Sequence, residues 1–200
     1  KETNPTAYEN EYMGIANGTG GNVFDNVVIR EVTDDEIQTF DRFYRGVDWG
    51  WYPDPFAYDC MTYIPSQHKL IIFDEEHCNK KSNRETAELL RTKHGVTSND
   101  LITCDSAEQK SVGDYRADGL MARSAEKGPG SVVYSMKWLQ SLREIVIDNT
   151  RCPHTAQEFL DYEYERDKDG NVISGYPDKD NHHIDAVRYA MNRVWKRRGE

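Results

Sequence analysis

Apolar and polar positions predict extended structure in the first half of the chain. Residues 45–50, 56–64 and 70–73 form short segments rich in aromatic and β-branched residues, with proline-containing turns between them. Such segments are typical of β-strands. The run at 70–73 has no polar alternation, which is typical of a central strand covered on both faces. The pattern therefore predicts a three-stranded meander with a buried strand at residues 70–73.

Helices and strands alternate after this meander. Ser82 and Glu85 have the spacing of a helix capping box, and Gly95 is suited to end that helix. Residues 101–105 predict a strand that stops at Asp105, and a strand reached through a helix is expected to run parallel to its neighbour. Two further helix–strand units follow, with predicted bounds of 108–118, 121–124, 131–142 and 144–148.

The last quarter of the chain carries two more helices and a turn. Thr155 and Glu158 predict a second capping box, and residues 169–171 predict the turn of a hairpin. Apolar positions between residues 184 and 194 recur at helical spacing. A meander followed by alternating helices and strands predicts an α/β fold, with a mixed β-sheet flanked by helices.

Length and composition favour a single globular domain over a membrane protein or a zinc-binding module. The chain has 200 residues, of which 37% are hydrophobic. That size fits one globular domain, which we expect to span residues 22–200. Residues 1–21 are polar and glycine-rich, begin with Lys1, and are interpreted as a linker or the tail of a further module upstream. No apolar run is long enough to cross a bilayer, and four widely spaced cysteines favour free thiols over a zinc site.

Three aspartates, Asp48, Asp105 and Asp185, stand where a strand ends or a helix begins. Asp is depleted in strands and an unpaired buried charge is unfavourable, so each carboxylate requires solvent, a cationic partner or a metal ion. If the strands of Asp48 and Asp105 are adjacent and the last helix packs across them, the three side chains converge. His182 lies three residues before Asp185 and shares its helix face. His183 points elsewhere and is assigned a structural role.

A convergent set of carboxylates predicts a site for hard divalent cations. Crowded carboxylates repel one another and hold protons unless cations neutralise them. Oxygen ligands select Mg²⁺ or Mn²⁺, and an imidazole such as that of His182 favours Mn²⁺. Two such ions about 3.5 to 4 Å apart can activate a water and stabilise the leaving oxygen of a phosphodiester. One or two ions are therefore expected.

Nucleic acid is compatible with the charge of the chain, whereas nucleotide binding is not expected. The formal net charge is -10, but basic side chains can still cluster locally. Lys110 and Lys127 are the candidates for contact with DNA phosphates. The sequence lacks the G-x-x-x-x-G-K-[ST] pattern of a phosphate-binding loop, so we expect no nucleotide bound by this domain.

The candidate residues lie within an ordered series of motifs. The series resembles, from about residue 22 to residue 195, the C-terminal nuclease domain of tailed-bacteriophage terminase large subunits. In chain order the motifs are Gly-Val-Asp-Trp-Gly at 46–50, Pro-Asp-Pro at 53–55, Asp-Ser-Ala-Glu at 105–108, Lys-Gly-Pro-Gly-Ser at 127–131, Cys-Pro-His-Thr at 152–155, Lys-Asp-Gly-Asn at 168–171 and Asp-Lys-Asp-Asn-His-His-Ile-Asp-Ala-Val-Arg-Tyr at 178–189.

The resemblance implies a fold, an activity and partners. The fold is expected to be ribonuclease H-like, and by motif the metal-binding positions correspond to Asp48, Asp105, Asp185 and His182. The implied activity is endonucleolytic cleavage of concatemeric double-stranded DNA during genome packaging. Expected partners are an N-terminal ATPase domain of the same chain, the small terminase subunit and the portal protein. The expected location is the host bacterial cytoplasm, at the procapsid portal, and the isolated domain is expected to be monomeric.

Two alternatives remain open from the sequence. A junction resolvase or a transposase would share the acid cluster, but not the ordered motifs. A non-catalytic DNA-binding or scaffold domain would use the same acids in structural ion pairs. Bound Mn²⁺ among Asp48, Asp105 and Asp185 would distinguish a catalytic site from this last alternative.

Overall fold

The computed structural model describes residues 21–173 and 175–196, and the interpretation of residues 1–20 as a linker lies outside them. Seven strands form one sheet in the order β1-β7-β4-β3-β2-β5-β6. In chain order they are β1 Val27–Ile29, β2 Tyr44–Asp48, β3 Phe56–Ile64, β4 Lys69–Cys78, β5 Leu101–Cys104, β6 Met121–Ser124 and β7 Glu144–Ile147.

The sheet is mixed, as predicted. Strands β2, β3 and β4 form an antiparallel meander. The outer strands pair in parallel, β5 with β2 and β6 with β5 at one side, β7 with β4 and β1 with β7 at the other. Each parallel neighbour after the meander is reached through a helix, which is the connection that parallel pairing requires.

Both faces of the sheet are covered by helices. Seven helices lie in the described part of the chain, together with a short 3₁₀ turn at Pro65–Gln67. They are α1 Asp34–Gln38, α2 Asn83–Thr92, α3 Gln109–Ala117, α4 Ser131–Gln140, α5 Pro153–Asp161, α6 His182–Ala190 and α7 Asn192–Lys196. None of these helices combines the length and the apolar character that crossing a membrane requires.

The two cores explain the uninterrupted apolar run in β4. Leu70 and Ile72 pack into the core beneath α4, α5 and α6, whereas Ile71 and Phe73 pack into the core beneath α2 and α3. Successive residues of a strand point to opposite faces, so a strand covered on both sides is apolar at every position. The prediction of a buried central strand is confirmed.

Helix starts follow the sequence signals unevenly. The Ser82–Glu85 capping box is present at the start of α2. The second capping box is wrong: α5 begins at Pro153 after Cys152, and Thr155 is buried inside the helix. Proline is well suited to the first helical turn, which moves the cap three residues earlier, from Thr155 to Cys152. The Thr155 hydroxyl instead contacts buried carboxylates.

Two further differences and one agreement concern the last helix, the first strand and the turn at residues 169–171. The single helix expected through residue 194 is divided at Met191 into α6 and α7. Strand β1 was not predicted: its three residues are too short a pattern by themselves and are held by parallel pairing with β7 and by packing of Val27 and Ile29 against the core. The predicted turn at residues 169–171 is present, with an antiparallel bridge between Arg166 and Val172.

Candidate functional site

Asp48 and Asp105 stand side by side at one edge of the sheet. Asp48 is the last residue of β2, and Asp105 directly follows β5. The two strands are parallel neighbours, with Val47 opposite Cys104. Val47 and Cys104 both point into the core beneath α2 and α3, so alternation directs the next residue of each strand towards α6. The predicted adjacency of these two strands is confirmed.

Helix α6 crosses β2 in close backbone contact. A Cβ atom built on Gly46 would lie 1.8 Å from the carbonyl oxygen of Ala186. Only glycine permits this approach. Because Gly46 precedes Asp48 by one pleat and Ala186 follows Asp185, the contact brings the third aspartate to the strand ends. His182, Asp185 and Tyr189 recur at helical spacing and therefore share one face of α6.

Mutual electrostatic effects place the three carboxylates in one neighbourhood. Burial raises the pKa of Asp48, and the negative charges of Asp185 and Asp105 raise it further against the opposing effect of His182. Burial, followed by these same three carboxylates, raises the pKa of the Tyr189 phenol. The Tyr189 hydroxyl donates to Asp185 Oδ2 at 3.4 Å. These mutual effects and the Tyr189–Asp185 contact are consistent with the predicted convergence of the three acids on one side of α6.

Each carboxylate has a basic partner inside the protein. His182 Nδ1 lies 3.1 Å from Asp48 Oδ2, and the hydrogen bond to Asp48 raises the pKa of His182. Arg188 donates to Asp185, whose pKa burial nevertheless raises. These basic groups offset part of the repulsion among the acids.

Lys127 is the partner of Asp105. Its ammonium group lies 2.5 Å from Asp105 Oδ1. Burial by itself raises the pKa of Asp105, but hydrogen bonds from Lys127 and from the Ala107 N–H outweigh burial, so the net shift is downward. Contact between Lys127 and DNA phosphate stays a prediction. Lys110 lies away from the carboxylates, in an open cleft beside the site.

The donor set fits a divalent cation that a polymer substrate can reach. It consists of three carboxylates and one imidazole, the ligand types that suit Mg²⁺ and Mn²⁺. The side chains of Asp48, Asp105 and Asp185 are 15%, 18% and 18% exposed, and that of His182 is 21% exposed. Each candidate ligand is thus mostly buried by its neighbours but remains partly exposed to solvent.

Comparison with known proteins identifies the family. A family model described as "Terminase RNAseH like domain" matches residues 48–193, a span that starts at Asp48 and includes every candidate ligand. The chain belongs to this family. It is 37% identical over 203 aligned residues to the large terminase subunit of Bacillus phage SPP1, covering 100% of this chain and 48% of that protein. This terminase domain therefore spans about half the length of that relative.

A second relative and a solved structure support the same family assignment. The PBSX phage terminase large subunit of Bacillus subtilis strain 168 is 31% identical over 150 residues, covering 75% of this chain and 34% of that protein. The nuclease domain of the g2p large terminase from bacteriophage SPP1, solved with bound Mn, matches at a TM-score of 0.79 and 36% identity. That match covers 86% of this chain and 98% of the SPP1 domain. The terminase domain thus has the ribonuclease H-like fold expected from its motifs.

A second group of metal-ligating side chains lies deeper in the terminase domain. Asp59, Glu75 and His183 each offer a ligand atom, and these atoms all lie within 4.8 Å of one another. Asp59 and His183 are fully buried, and Glu75 is 7% exposed. A buried group of this kind cannot reach a polymer substrate. Substrate access therefore favours the Asp48 group as the candidate active site.

Hydrogen bonds already engage every member of this buried group. His183 Nδ1 lies 2.9 Å from Asp59 Oδ2, and its Nε2 lies 3.0 Å from His77 Nδ1. The Thr155 hydroxyl lies 2.6 Å from Asp59 Oδ1 and 2.7 Å from Glu75 Oε2. Burial alone lowers the pKa of His183, but the Asp59 carboxylate raises it to about 9. The structural role predicted for His183 is consistent with this network, which anchors α5 and α6 to the sheet.

Sequence reasoning overlooked several of these residues, although signals existed. Asp59 and Glu75 occupy directly opposite positions on β3 and β4. Like charges facing each other across strands are unfavourable, so their pairing signals a basic or hydrogen-bonding partner. Arg188 and Tyr189 follow Asp185 by three and four residues, the spacings at which helix neighbours meet. Only Lys127 has no local signal of its contact with Asp105.

Proposed function

We propose that this domain is a divalent-metal-dependent endonuclease that cuts double-stranded DNA. The observation that carries the proposal is the convergence of Asp48, Asp105 and Asp185 at the carboxyl ends of two parallel strands, where solvent reaches them. Membership of the terminase family and the likeness to a nuclease domain solved with bound Mn support the same conclusion.

Mn²⁺ or Mg²⁺ is the expected cofactor, and its ligands are Asp48, Asp105, Asp185 and His182. When bound, such ions supply Lewis acidity towards a phosphodiester oxygen, and a pair of them supports in-line displacement. We propose that one or two ions bind. The carboxylates lie on two strand ends and one helix, so they are positioned before any ligand arrives, which limits reorganisation on binding.

The neighbouring residues have separate tasks in this proposal. His182 is oriented through Nδ1 by Asp48, which leaves Nε2, 3.6 Å from Asp54, as the ring nitrogen that would face the ion. Lys127 neutralises Asp105 and lies next to the position of the substrate phosphate. Tyr189 supports the Lys127 ammonium group, which lies 4.9 Å from the ring centroid.

Nicking of supercoiled plasmid in Mn²⁺ tests the activity. Asp48→Asn and Asp105→Asn are expected to abolish nicking while the domain remains folded, because losing one charge from a repelling cluster does not destabilise it. His182→Ala is expected to slow nicking less. Asp161→Asn, an exposed position on α5, is the control and should cut like the wild type. Wild-type nicking by both Asp48→Asn and Asp105→Asn would refute the proposal.

A non-catalytic domain is the second candidate, and the basic partners of the three acids favour it. His182, Lys127 and Arg188 could serve only to balance Asp48, Asp105 and Asp185 as structural ion pairs. Isothermal titration with Mn²⁺ separates the two candidates. The nuclease requires Mn²⁺ binding that Asp105→Asn weakens and that Asp59→Asn leaves intact, whereas the structural alternative shows no such binding.

The biological setting is also proposed. We assign the domain to cutting of concatemeric phage DNA during genome packaging, in the host cytoplasm at the procapsid portal. The partners in this setting are an ATPase domain on the same chain, the small terminase subunit and the portal protein. Support comes from the family and from the SPP1 relative, of whose length this chain spans about half.

A further inference from the structure

Two large aromatic side chains stand in solvent beside the candidate site. Trp51 is 58% exposed and Tyr52 is 66% exposed. They lie three and four residues after Asp48, in the loop between β2 and β3. By contrast, Trp138 and Trp195 are each 6% exposed. Aromatic side chains with an apolar body and a polar tip are enriched where a protein meets a partner.

The loop that carries these rings is tied to the fold. The Asn79 side-chain amide donates to the carbonyl oxygens of Trp51, Pro53 and Asp54 at 3.3, 3.3 and 3.0 Å. The Lys80 N–H donates to the Trp51 carbonyl at 2.9 Å. Because the backbone is held from β4, the outward position of the two rings is a property of the fold and not of a loose loop.

The rings border an open cleft of about 850 Å³ between this loop and the starts of α2 and α3. Lys81, Arg84 and Lys110 line the cleft together with the two rings. The cleft meets the candidate site at Asp54, whose carboxylate lies 3.6 Å from His182 Nε2. A polymer that lies along the cleft therefore passes the carboxylate cluster.

The cations of the cleft are available for an external anion. Across residues 21–173 and 175–196, the structure gives no ion pair to Lys81, Arg84 or Lys110. Four acids also line the cleft, namely Asp54, Glu108, Asp114 and Asp118, so the lining as a whole is not positive. Two of them are held in place by the protein, since Asp114 accepts from the Asn83 amide at 2.8 Å and Glu108 accepts from the Ser111 hydroxyl at 3.1 Å. In a chain with a net charge of -10, the three cations without an ion pair are the groups of this mixed surface that can contact phosphates.

We propose that this cleft is the docking surface for duplex DNA, with Lys81, Arg84 and Lys110 on backbone phosphates and the rings of Trp51 and Tyr52 against sugar and base edges beside the cut. The inference rests on the proposed nuclease function and adds the path of the substrate. DNA is favoured over a protein partner because phosphates match the unpaired cations, the sugars and base edges offer surface to the two rings, and the cleft ends at the carboxylates.

Binding of a labelled DNA duplex in the presence of a chelator tests the surface without cleavage. Trp51→Ala with Tyr52→Ala is expected to weaken binding about fivefold, because the apolar area that the two rings bury against the sugars is lost. Lys81→Ala with Arg84→Ala and Lys110→Ala should reduce the slope of log affinity against log salt by about one unit per lost phosphate contact. Tyr134→Ala and Lys137→Ala, both on α4 at a different groove, are the matched controls and should bind like the wild type.

Tryptophan emission gives an independent readout. Added duplex is expected to quench the fluorescence of the wild type, and Trp51→Phe should lose most of that change because the remaining indoles are less exposed. Plasmid nicking by the wild type separates the two proposals. If the wild type nicks DNA in Mn²⁺ while both cleft variants bind and nick normally, the docking surface is overturned and the nuclease stands, and a protein partner becomes the occupant to test. If the wild type neither binds nor nicks DNA, both proposals fail.

Discussion

Gly46 in β2 and Ala186 in α6 are in direct backbone contact, since a Cβ on Gly46 would lie 1.8 Å from the Ala186 carbonyl oxygen. Gly46→Ala is therefore expected to push α6 away from the sheet. Overpacking of this kind destabilises by about 1 to 3 kcal/mol, and the shift also separates Asp185 from Asp48. We expect a lower free energy of unfolding in urea together with a loss of Mn²⁺-dependent nicking.

Gly113 provides the matched control for this substitution. It lies in the middle of α3, is exposed, and has no atom within 4 Å of an added Cβ. Gly113→Ala should be neutral or stabilising by up to about 1 kcal/mol, because alanine favours helix. Equal stability of Gly46→Ala and Gly113→Ala would show that the backbone contact does not set the position of α6.

Lys127 is expected to weaken cation binding at the site that it neutralises. Its ammonium group contacts Asp105 and lowers the pKa of that carboxyl. Lys127→Ala removes a positive charge next to the proposed ligands, so Mn²⁺ affinity measured by isothermal titration should rise several-fold. Nicking should nevertheless fall, because a phosphate contact is lost. Lys137→Ala should leave both properties unchanged, and unchanged Mn²⁺ affinity in Lys127→Ala would contradict this account.

Thr155 is expected to be essential for stability, although it lies outside the candidate active site. Its single hydroxyl lies between the buried carboxylates of Asp59 and Glu75. Thr155→Val removes the hydroxyl while approximately preserving shape, which leaves a buried carboxylate oxygen without its donor at about 1 to 3 kcal/mol. Thermal unfolding measures the loss. Thr150→Val, at an exposed position, should change the melting temperature little, and a similar result for Thr155→Val would mean that water or another donor replaces the hydroxyl.

Glu158 should make the stability of the domain depend on pH. Its Oε2 accepts from the N–H groups of His183 and Ile184 at 2.8 and 3.2 Å, which caps the first turn of α6. Burial raises the pKa of Glu158 to about 7, whereas an unfolded glutamate titrates at about 4.3. The folded state therefore binds more protons between these values, and stability falls as pH rises through that window, by on the order of 1 to 3 kcal/mol.

Glu158→Gln tests this sign, because it keeps an acceptor for the helix cap and removes the charge. Urea unfolding at intervals from about pH 4 to pH 8 should show a smaller decline in the variant than in the wild type. Gln157→Ala, on the exposed face of the same helix, should retain the wild-type profile. A decline of equal size in Glu158→Gln would assign the pH dependence to other groups.

Local patterns predicted those elements whose signals lie within a few residues. The meander of β2, β3 and β4 follows from alternation and turns, and the start of α2 follows from the Ser82–Glu85 box. Prediction failed for a strand that depends on long-range pairing and for the start of one helix. Strand β1 exists because β7 lies beside it. Thr155 lies inside α5 because the helix begins at Pro153, and its hydroxyl then meets carboxylates from two strands.

The order of residues along the chain determined which acids could form a site, because a strand end at Asp48, a strand end at Asp105 and a helix start before Asp185 are local features. Only the tertiary structure determines that these acids lie close together. Parallel pairing of β2 with β5 and the close approach of α6 over Gly46 bring together charges separated by up to 137 positions. The same packing places Lys127 beside Asp105. It also buries Asp59, Glu75 and His183. Repulsion and desolvation depend on distances between side chains, and a linear sequence does not contain those distances.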